Sequence, residues 1–478
     1  MKATTSSFLI KKLNKINIFL VFCFFFLFNQ SLKSQPSNPF GNALVPDMIA
    51  DASIQEIDGV FYCYATTDGY DNGLHTSGPP VVWKSKDFVN WSFSGYYFPS
   101  AVGQVYWAPS KVVQANGKYY IYPTINKFMY PAVSDSPDGP FKLAKGEDEF
   151  IKPYSPSSTL LKANGSNPPW GIDAEIFIDD DNQAYVYWQK RNAARLNSDM
   201  ISLDSTSIIT IDSPRKSYSE GPIFFKRKGI YYYLYSQGGD ERYQYAYMMS
   251  TSSPLGPFEA PQNDIISTTN YERGVFGPGH GCVFNLSGTD DYYFAYLEFG
   301  RRSTNRQTYV NKLEFNEDGT IRPVDLTLDG VGALRKIKQD KKIAIKSCKA
   351  SSVRDSLKIA PNQDSLLNRT EYFVPEFAFD SANGSRWMPN NKDEDCWLTA
   401  DLGKTRKLKK SEVFFVRPTA GHAYILEYST DGKSWKSCGG HDETEIKSPH
   451  TDVLNIKARY LRLKITKGIK GVWEWNIF

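Results

Sequence analysis

The chain has 478 residues, of which 56 are basic and 52 acidic, and 15% are aromatic. This length exceeds one ordinary hydrophobic core, so two domains are expected. A charge this close to balance lacks the basic surface that nucleic-acid binding requires, which excludes nucleic acid as a partner.

The first 35 residues have the pattern of a signal peptide. Four lysines from Lys2 to Lys15 precede an apolar run over residues 16–28, and a polar stretch follows as far as Gln35. The apolar run is too short to cross a bilayer comfortably, so export with cleavage is favoured over a membrane anchor. Cleavage removes five lysines and leaves 51 basic against 52 acidic side chains. We expect a periplasmic or secreted protein without a membrane span.

Five aromatic-rich segments recur through the first two thirds of the chain, at intervals of roughly 47 to 65 residues. Repeats of short aromatic strands favour a β-propeller, and five repeats predict five blades over residues 36–335. A second, looser repeat of strand, turn and strand predicts four strands in each blade. The aromatic segments span residues 60–64, 118–122, 184–188, 230–235 and 291–296, and the second repeat spans 82–91, 132–141 and 248–258.

One position lies about eleven residues before each aromatic segment, and four of these five positions are ionisable. The innermost strand of every propeller blade runs beside the central axis, so the same position in each blade points into one funnel. Three carboxylates and an imidazole are therefore predicted to converge where a substrate can enter. The five positions are Asp51, Ala108, Asp173, Glu220 and His280.

Two carboxylates that face each other across a pocket suit the hydrolysis of a glycosidic bond. One carboxyl must be protonated to donate to the leaving oxygen, and the other must be ionised to activate water. Like charges in a shared cleft push pKa values apart, so a third carboxyl can tune the pair. Glu220 in the fourth repeat is predicted to lie across the funnel from Asp51 in the first, which places acid and base on opposite faces of a sugar.

Each of the three acids lies in a distinctive local sequence. Asp51 lies in Ala-Asp-Ala-Ser-Ile, Asp173 in Gly-Ile-Asp-Ala-Glu-Ile-Phe and Glu220 in Glu-Gly-Pro. These sequences resemble glycoside hydrolase family 43, which has a five-bladed propeller. The resemblance implies that Asp51 is the general base, that Asp173 modulates the pKa of the acid and orients it, and that Glu220 is the general acid of an inverting hydrolysis. The family often has Asp-Pro where this chain has Asp51-Ala52, and Trp-Ala-Pro-Asp where residues 107–110 are Trp-Ala-Pro-Ser.

Three further residues are candidates for contact with the substrate. Trp107 directly precedes the second funnel position and could stack on a sugar face, with a core tryptophan as the alternative. His280 is either a satisfied buried histidine or, as the resemblance implies, lies near a bound calcium or the sugar. Arg306 resembles the family arginine that hydrogen-bonds the sugar, with a surface charge as the alternative.

Rival acids lie close to two of the three. Asp47 precedes Asp51 by four residues and is an alternative base. Residues 179–181 are three aspartates that follow Asp173, but their place at a predicted hairpin tip makes them solvated rather than catalytic.

A second domain is predicted over residues 346–478, beyond a charged run at 335–342 that is a linker or an edge strand. Isolated tryptophans and short alternating strands predict a β-sandwich. Segments 379–387, 396–403, 426–435 and 458–463 resemble the discoidin or coagulation-factor type C domain, which includes family 32 carbohydrate-binding modules. The resemblance implies a jelly roll with a structural calcium near Asp380, Asn383 and Glu474. The domain either binds carbohydrate or is a structural cap on the propeller.

Together these features predict an inverting exo-glycoside hydrolase that releases a terminal pentose from a polysaccharide or oligosaccharide. The family resemblance puts β-D-xylose first, α-L-arabinofuranose narrowly second and galactose third. The alternative from a different class is a carbohydrate-binding or adhesion protein that has lost hydrolysis. No cofactor is required for the chemistry, and a monomer is expected.

Overall fold

The computed structural model describes residues 36–70, 77–99, 104–144, 171–301, 304–359 and 367–478. In these ranges the regular elements are strands and short 3₁₀ turns, which confirms the all-β prediction. None of the described helices is long and apolar enough to cross a membrane. The predicted signal peptide at 1–35 lies outside the described residues. The 3₁₀ turns are Gln189–Arg191, Ser205–Ser207, Asp240–Arg242, Pro375–Ala378 and Pro418–Ala420.

Antiparallel sheets that follow one another between residues 49 and 313 form the five predicted blades of the propeller. Blade one contains β1 (Ile49–Ile57), β2 (Val60–Thr67), β3 (Val81–Ser85) and β4 (Trp91–Tyr96). In the segment of blade two, β5 (Tyr106–Trp107), β8 (Thr124–Ile125) and β9 (Phe128–Met129) form a small separate sheet, and β6 (Val113–Ala115), β7 (Lys118–Ile121), β10 (Ala132–Ser134) and β11 (Lys142–Leu143) form the blade itself.

Blades three and four are four-stranded meanders, whereas the described part of blade five has three strands. The prediction of four strands in every blade is therefore wrong for blade five. Blade three contains β12 (Glu175–Ile178), β13 (Ala184–Trp188), β14 (Asn192–Arg195) and β15 (Ile209–Thr210); blade four contains β16 (Ser219–Arg227), β17 (Ile230–Gln237), β18 (Gln244–Ser250) and β19 (Ile265–Ser267); blade five contains β20 (Gly279–Asn285), β21 (Tyr292–Glu298) and β22 (Gln307–Leu313).

The segment that precedes blade one closes the ring by binding to blade five. The backbone N–H of Leu44 donates to the carbonyl of Thr308 at 2.9 Å, and the Tyr309 hydroxyl donates to the carbonyl of Phe40 at 2.6 Å. The Ile54 N–H of β1 also donates to the Cys282 thiol of β20 at 3.1 Å. The first two contacts lie beside β22, the last described strand of blade five, and the third joins β1 of the first blade to β20 of the last.

The inner hairpins form because their turns contain residues that tolerate positive φ. Asp58-Gly59, Asn116-Gly117 and Lys228-Gly229 all have positive φ at both positions, as two-residue hairpin turns require. Aromatic rings then fill the space between blades, as in the stack of Tyr187 of blade three on Phe224 of blade four, with ring centroids 4.1 Å apart. The repeated aromatic segments are therefore the packing surfaces between neighbouring blades.

The C-terminal domain is a second β-structure with its own core. Its strands are β23 (Ser347–Ala350), β24 (Leu357–Ile359), β25 (Arg369–Glu371), β26 (Trp397–Phe415), β27 (His422–Ser429), β28 (Lys436–Glu445), β29 (His450–Lys467) and β30 (Val472–Ile477). The main sheet has the order β23, β26, β29, β27, β28, and β30 also pairs with β26. The long strands β26 and β29 are interrupted by register shifts that bend them, and their apolar side chains pack around Trp387 and Trp475.

Buried ion pairs join this domain to the propeller. Arg301 of the propeller contacts Glu371 at 3.3 Å, and Arg369 contacts Glu298 of the propeller at 3.0 Å. All four side chains are less than 10% exposed. Removing one partner would leave a buried charge uncompensated, so the loss of any of these four side chains should destabilise the contact between the two domains.

Candidate active site

A local irregularity turns the funnel residues away from the regular strand pattern. The ladder register shifts between residues 50 and 53 in blade one, 220 and 223 in blade four, and 279 and 281 in blade five. Asp51 and Asp173 both have positive φ, at 51° and 63°, and Gly221 beside Glu220 has φ 54°. Such bulges re-aim side chains, and aspartate and glycine tolerate the left-handed backbone that they need. Strained backbone of this kind is concentrated at functional sites.

The structure brings all six residues predicted for catalysis and substrate contact to one cavity of about 210 Å³. Apolar and aromatic side chains form part of its wall, and a fourth acid, Asp240, lies there as well. Trp107 is only partly buried and lines the cavity, so it does not belong to the core of a blade. The lining residues are Asp51, Trp107, Ile172, Asp173, Glu220, Asp240, Tyr243, His280, Phe299 and Arg306.

Asp51 lies against two nitrogen-bearing side chains. Its Oδ1 is 3.4 Å from Nη1 of Arg306 and 3.8 Å from Nδ1 of His280. Arg306 is held in place by Asp68, which accepts from Nε at 2.8 Å and from Nη2 at 3.1 Å. This two-point pairing fixes the plane of the guanidinium and leaves Nη1 directed at Asp51. Arg306 is therefore a buried part of the cavity and not a surface charge.

Asp173 links the other two acids. Its Oδ2 accepts from the backbone N–H of Gly221 at 3.0 Å, next to Glu220, and is 3.6 Å from Nδ1 of His280. Burial raises the pKa of Asp173 to about 7, with the charges of Glu220 and Asp51 adding to the rise and His280 opposing it. Asp173 is thus poised to exchange a proton near neutral pH.

Glu220 is held by two phenols. The Tyr243 hydroxyl donates to Oε1 at 2.7 Å, and the Tyr218 hydroxyl donates to Oε2 at 3.2 Å. Burial and the neighbouring charge of Glu220 raise the pKa of Tyr243 well above its usual value, so this phenol stays protonated and remains a donor. Neither tyrosine was predicted. Tyr218 lies two residues before Glu220 on an extended segment, and that spacing places both on one face.

The rival acids lie elsewhere. Asp47 lines a separate cavity of about 320 Å³ between the propeller and the C-terminal domain, together with Arg301 and Arg386. Asp179 and Asp180 both pair with Lys226, at 2.8 and 2.7 Å, outside the candidate site. None of these three acids lines the cavity that contains Asp51.

Two of the residues predicted to bind calcium are suited to a hard cation. Burial raises the pKa of Asp380 to about 6 and that of Glu474 to about 8, and the charge of Asp380 adds to the rise at Glu474. A cation with oxygen ligands would relieve this repulsion. Asn383 instead donates its side-chain amide to the carbonyl of Ala43 at 3.0 Å. Calcium at Asp380, Asn383 and Glu474, like calcium near His280, stays a prediction.

Comparison with known proteins gives the same two-part division. The model of glycosyl hydrolases family 43 matches residues 38–321, and that of the F5/8 type C domain matches 358–477. The beta-D-galactofuranosidase xynD of Aspergillus niger is 30% identical over 319 residues, which are 61% of this chain and 86% of that protein. An arabinoxylan arabinofuranohydrolase of Bacillus subtilis is 27% identical over 340 residues, 59% of this chain and 63% of that protein. A solved structure of a glycoside hydrolase is 69% identical, covers 93% of this chain and all of its own, and superposes with a TM-score of 0.90.

Proposed function

This chain belongs to glycosyl hydrolase family 43 and is a glycoside hydrolase, and on that premise we propose that it is an inverting exo-enzyme that releases a terminal α-L-arabinofuranosyl residue from a polysaccharide or oligosaccharide. The observation that carries the proposal is that Asp51 and Glu220 line one cavity but have different partners. Asp51 contacts Arg306, whereas Glu220 accepts from Tyr243. Two carboxyls in unlike surroundings are what separate base and acid roles require.

In the proposed reaction Glu220 donates its proton to the glycosidic oxygen while Asp51 takes a proton from the attacking water. The water oxygen bonds to the anomeric carbon as the leaving oxygen departs, so the configuration inverts. An inverting enzyme needs about 6.5–9.5 Å between the two carboxyls to leave room for water. Asp173 positions the acid through its hydrogen bond to Gly221. Arg306 orients Asp51.

The size of the cavity supports removal of one terminal sugar. Its volume of about 210 Å³ is below the roughly 300–1,000 Å³ of sites for drug-sized ligands. Trp107 and Phe299 offer apolar faces on which one ring can stack. A cavity of this size favours a chain end over a continuous polymer.

The names of the two relatives described above support a furanose sugar, although other relatives are named as xylosidases. The Aspergillus niger relative is named for galactofuranose and the Bacillus subtilis relative for arabinofuranose of arabinoxylan. On the sequence alone, β-D-xylose ranks first. With the names of these relatives taken into account, we rank α-L-arabinofuranose ahead of it. β-D-Xylose stays the second candidate, because the same acid and base would serve a xylopyranoside.

The test is a panel of nitrophenyl glycosides assayed with wild type, Glu220→Gln and the exposed control Glu314→Gln. The panel contains α-L-arabinofuranoside, β-D-xyloside, β-D-galactofuranoside and both galactopyranosides. We expect the arabinofuranoside to be hydrolysed fastest and Glu220→Gln to lose at least about 100-fold in rate. Proton NMR of the first product should show inverted configuration. A retained configuration, or equal rates for wild type and Glu220→Gln, would reject the mechanism, and a different best sugar would reject the specificity.

We extend the proposal to the C-terminal domain and to the location of the protein. The buried pairs Arg301–Glu371 and Arg369–Glu298 support a structural cap rather than an independent binding module. The signal-peptide pattern supports a periplasmic or secreted location, and we propose a monomer. Two measurements test the location and the oligomeric state: N-terminal sequencing of the exported protein, which should begin near residue 36, and light scattering, which should give the mass of one chain.

A further inference from the structure

Three of the five histidines in the chain lie together in the C-terminal domain, far from the acids of the propeller in sequence. Nε2 of His441 is 3.0 Å from Nδ1 of His450 and 3.9 Å from Oε2 of Glu445. One ligand atom from each of His441, Glu445 and His450 lies within 4.8 Å of the other two. Within the described parts of the chain, no other three His, Cys, Asp or Glu residues meet this distance.

The sheet places these residues together. His441 and Glu445 lie on β28, four residues apart, and β28 pairs with β27 so that His441 is opposite Tyr424. A short turn then reverses the chain, and His450 is the first residue of β29. The β27–β28 register shifts between His441 and Glu445, and the irregular backbone there brings Oε2 of Glu445 to 3.9 Å from Nε2 of His441. The turn brings His450 back beside them.

The hydrogen bonds of His441 prepare it as a ligand. Its Nδ1 is 2.6 Å from the carbonyl of Glu443, which can only accept, so Nδ1 carries the proton. Nε2 is then an unprotonated nitrogen that faces His450. A histidine that binds a metal through one nitrogen commonly donates from the other to a backbone carbonyl. The simpler account of the same geometry is a hydrogen bond between the two rings.

We propose that His441, Glu445 and His450 form a binding site for a divalent transition-metal ion of the zinc class. Two nitrogens bound to one tetrahedral zinc at about 2.0–2.1 Å lie roughly 3.3 Å apart, close to the 3.0 Å found between the rings. The Glu445 side chain is half exposed, and its Oε2 lies 3.9 Å from Nε2 of His441. Two imidazoles and one carboxylate favour zinc, copper or nickel over calcium, which prefers oxygen ligands throughout.

The ion would fasten a turn that contacts the propeller. Ser448 lies between Glu445 and His450, and its carbonyl accepts from the backbone N–H of Phe93 in blade one at 2.7 Å. A metal that links the end of β28 to the start of β29 restrains both sides of this turn. The site is therefore structural, and its loss should affect the stability of the protein rather than the chemistry in the cavity.

The full-length protein, treated with EDTA and dialysed, tests the proposal by calorimetric titration with zinc chloride alone. Wild type should bind one zinc ion more than His441→Gln and Glu445→Gln do, with affinity at this site reduced at least about 100-fold in each variant. Glu443→Gln makes the same charge change at a neighbouring exposed residue and should bind as wild type does. Calcium chloride in excess should not compete.

Thermal unfolding gives a second readout that separates a metal site from a pair of hydrogen-bonded rings. Zinc should raise the melting temperature of wild type and of Glu443→Gln, and it should leave those of His441→Gln and Glu445→Gln unchanged. Both altered side chains are partly exposed, and the melting temperature without metal identifies a variant that fails to fold. Equal zinc binding by wild type and both variants, or no binding of zinc, copper or nickel by wild type, would overturn the proposal.

Discussion

Two neighbouring cavities of the protein contain a buried aspartate whose pKa is raised to about 7: Asp173 in the propeller and Asp47 beside the C-terminal domain. In both, burial is the main cause. The propeller cavity contains four acids and one arginine. The other is larger, at about 320 Å³, and is lined by four arginines and three acids, of which Glu371 bridges Arg301 and Arg386.

The comparison shows that neither volume nor a shifted pKa is enough to identify a catalytic site. Asp47 accepts from the N–H of Met48, and its Oδ2 has no hydrogen-bond partner in the described residues. Asp173 instead connects to both other acids, through Gly221 and through His280. The feature that distinguishes the propeller cavity is several acids that share one space and have different partners.

The largest expected difference between the two cavities is in activity. Asp51→Asn should lower kcat/KM about 1,000-fold, because general-base catalysis contributes roughly 10² to 10⁴ to the rate. Asp47→Asn, the same substitution four residues earlier, should stay within about threefold of wild type. Initial rates on the best aryl glycoside measure both. A collapse of activity in Asp47→Asn would show that the second cavity takes part in catalysis, and intact activity in Asp51→Asn would rule out Asp51 as the proposed base.

The second comparison concerns stability, for which substitutions in the two cavities should have the same effect. A carboxyl with a raised pKa in the folded state stabilises the protein at low pH, and this contribution is lost as pH rises towards 7. Asparagine at either position avoids the loss. Asp47→Asn and Asp173→Asn should therefore each raise stability by on the order of 1–3 kcal/mol at pH 8 and by little near pH 4.

Thermal melts at pH 4 and pH 8 measure this, with activity assayed in parallel. We expect Asp173→Asn to gain stability and lose activity, whereas Asp47→Asn gains stability alone. At pH 4 both carboxyls are protonated in folded wild type, so a neutral asparagine should add little stability there. A gain as large at pH 4 as at pH 8 would therefore contradict titration of the carboxyl as its cause.

The smallest expected difference lies within the propeller cavity, between the two phenols that contact Glu220. Tyr243 is 2.7 Å from the carboxyl, and Tyr218 is 3.2 Å away with about half of its surface exposed. Tyr243→Phe should lower kcat about tenfold, since a hydrogen bond to an ionisable group contributes roughly 1.5 kcal/mol or more. Tyr218→Phe should change kcat less than threefold. Steady-state kinetics on one substrate give the ranking, and the reverse order would contradict it.

Repetition in the sequence explains why much of this fold could be predicted. The aromatic segments and the ionisable positions before four of them located the blades and the three acids, because a propeller places equivalent residues on one axis. The three-stranded fifth blade could not be predicted, because Leu44 joins it from about 260 residues away in the chain. Tyr243 was missed for a similar reason: it lies on the far side of a hairpin from Glu220, just after a 3₁₀ turn.

Because the segment around Phe40 closes the ring, that segment influences the cavity that contains Asp51. Phe40 is buried against the guanidinium of Arg301, and its carbonyl accepts from Tyr309 on β22. Arg306, which supports Asp51, lies immediately before that strand. A protease that removes Phe40 would therefore break the contacts that hold β22 in place and weaken the support of Asp51, the proposed base, even though it cuts no residue of the cavity.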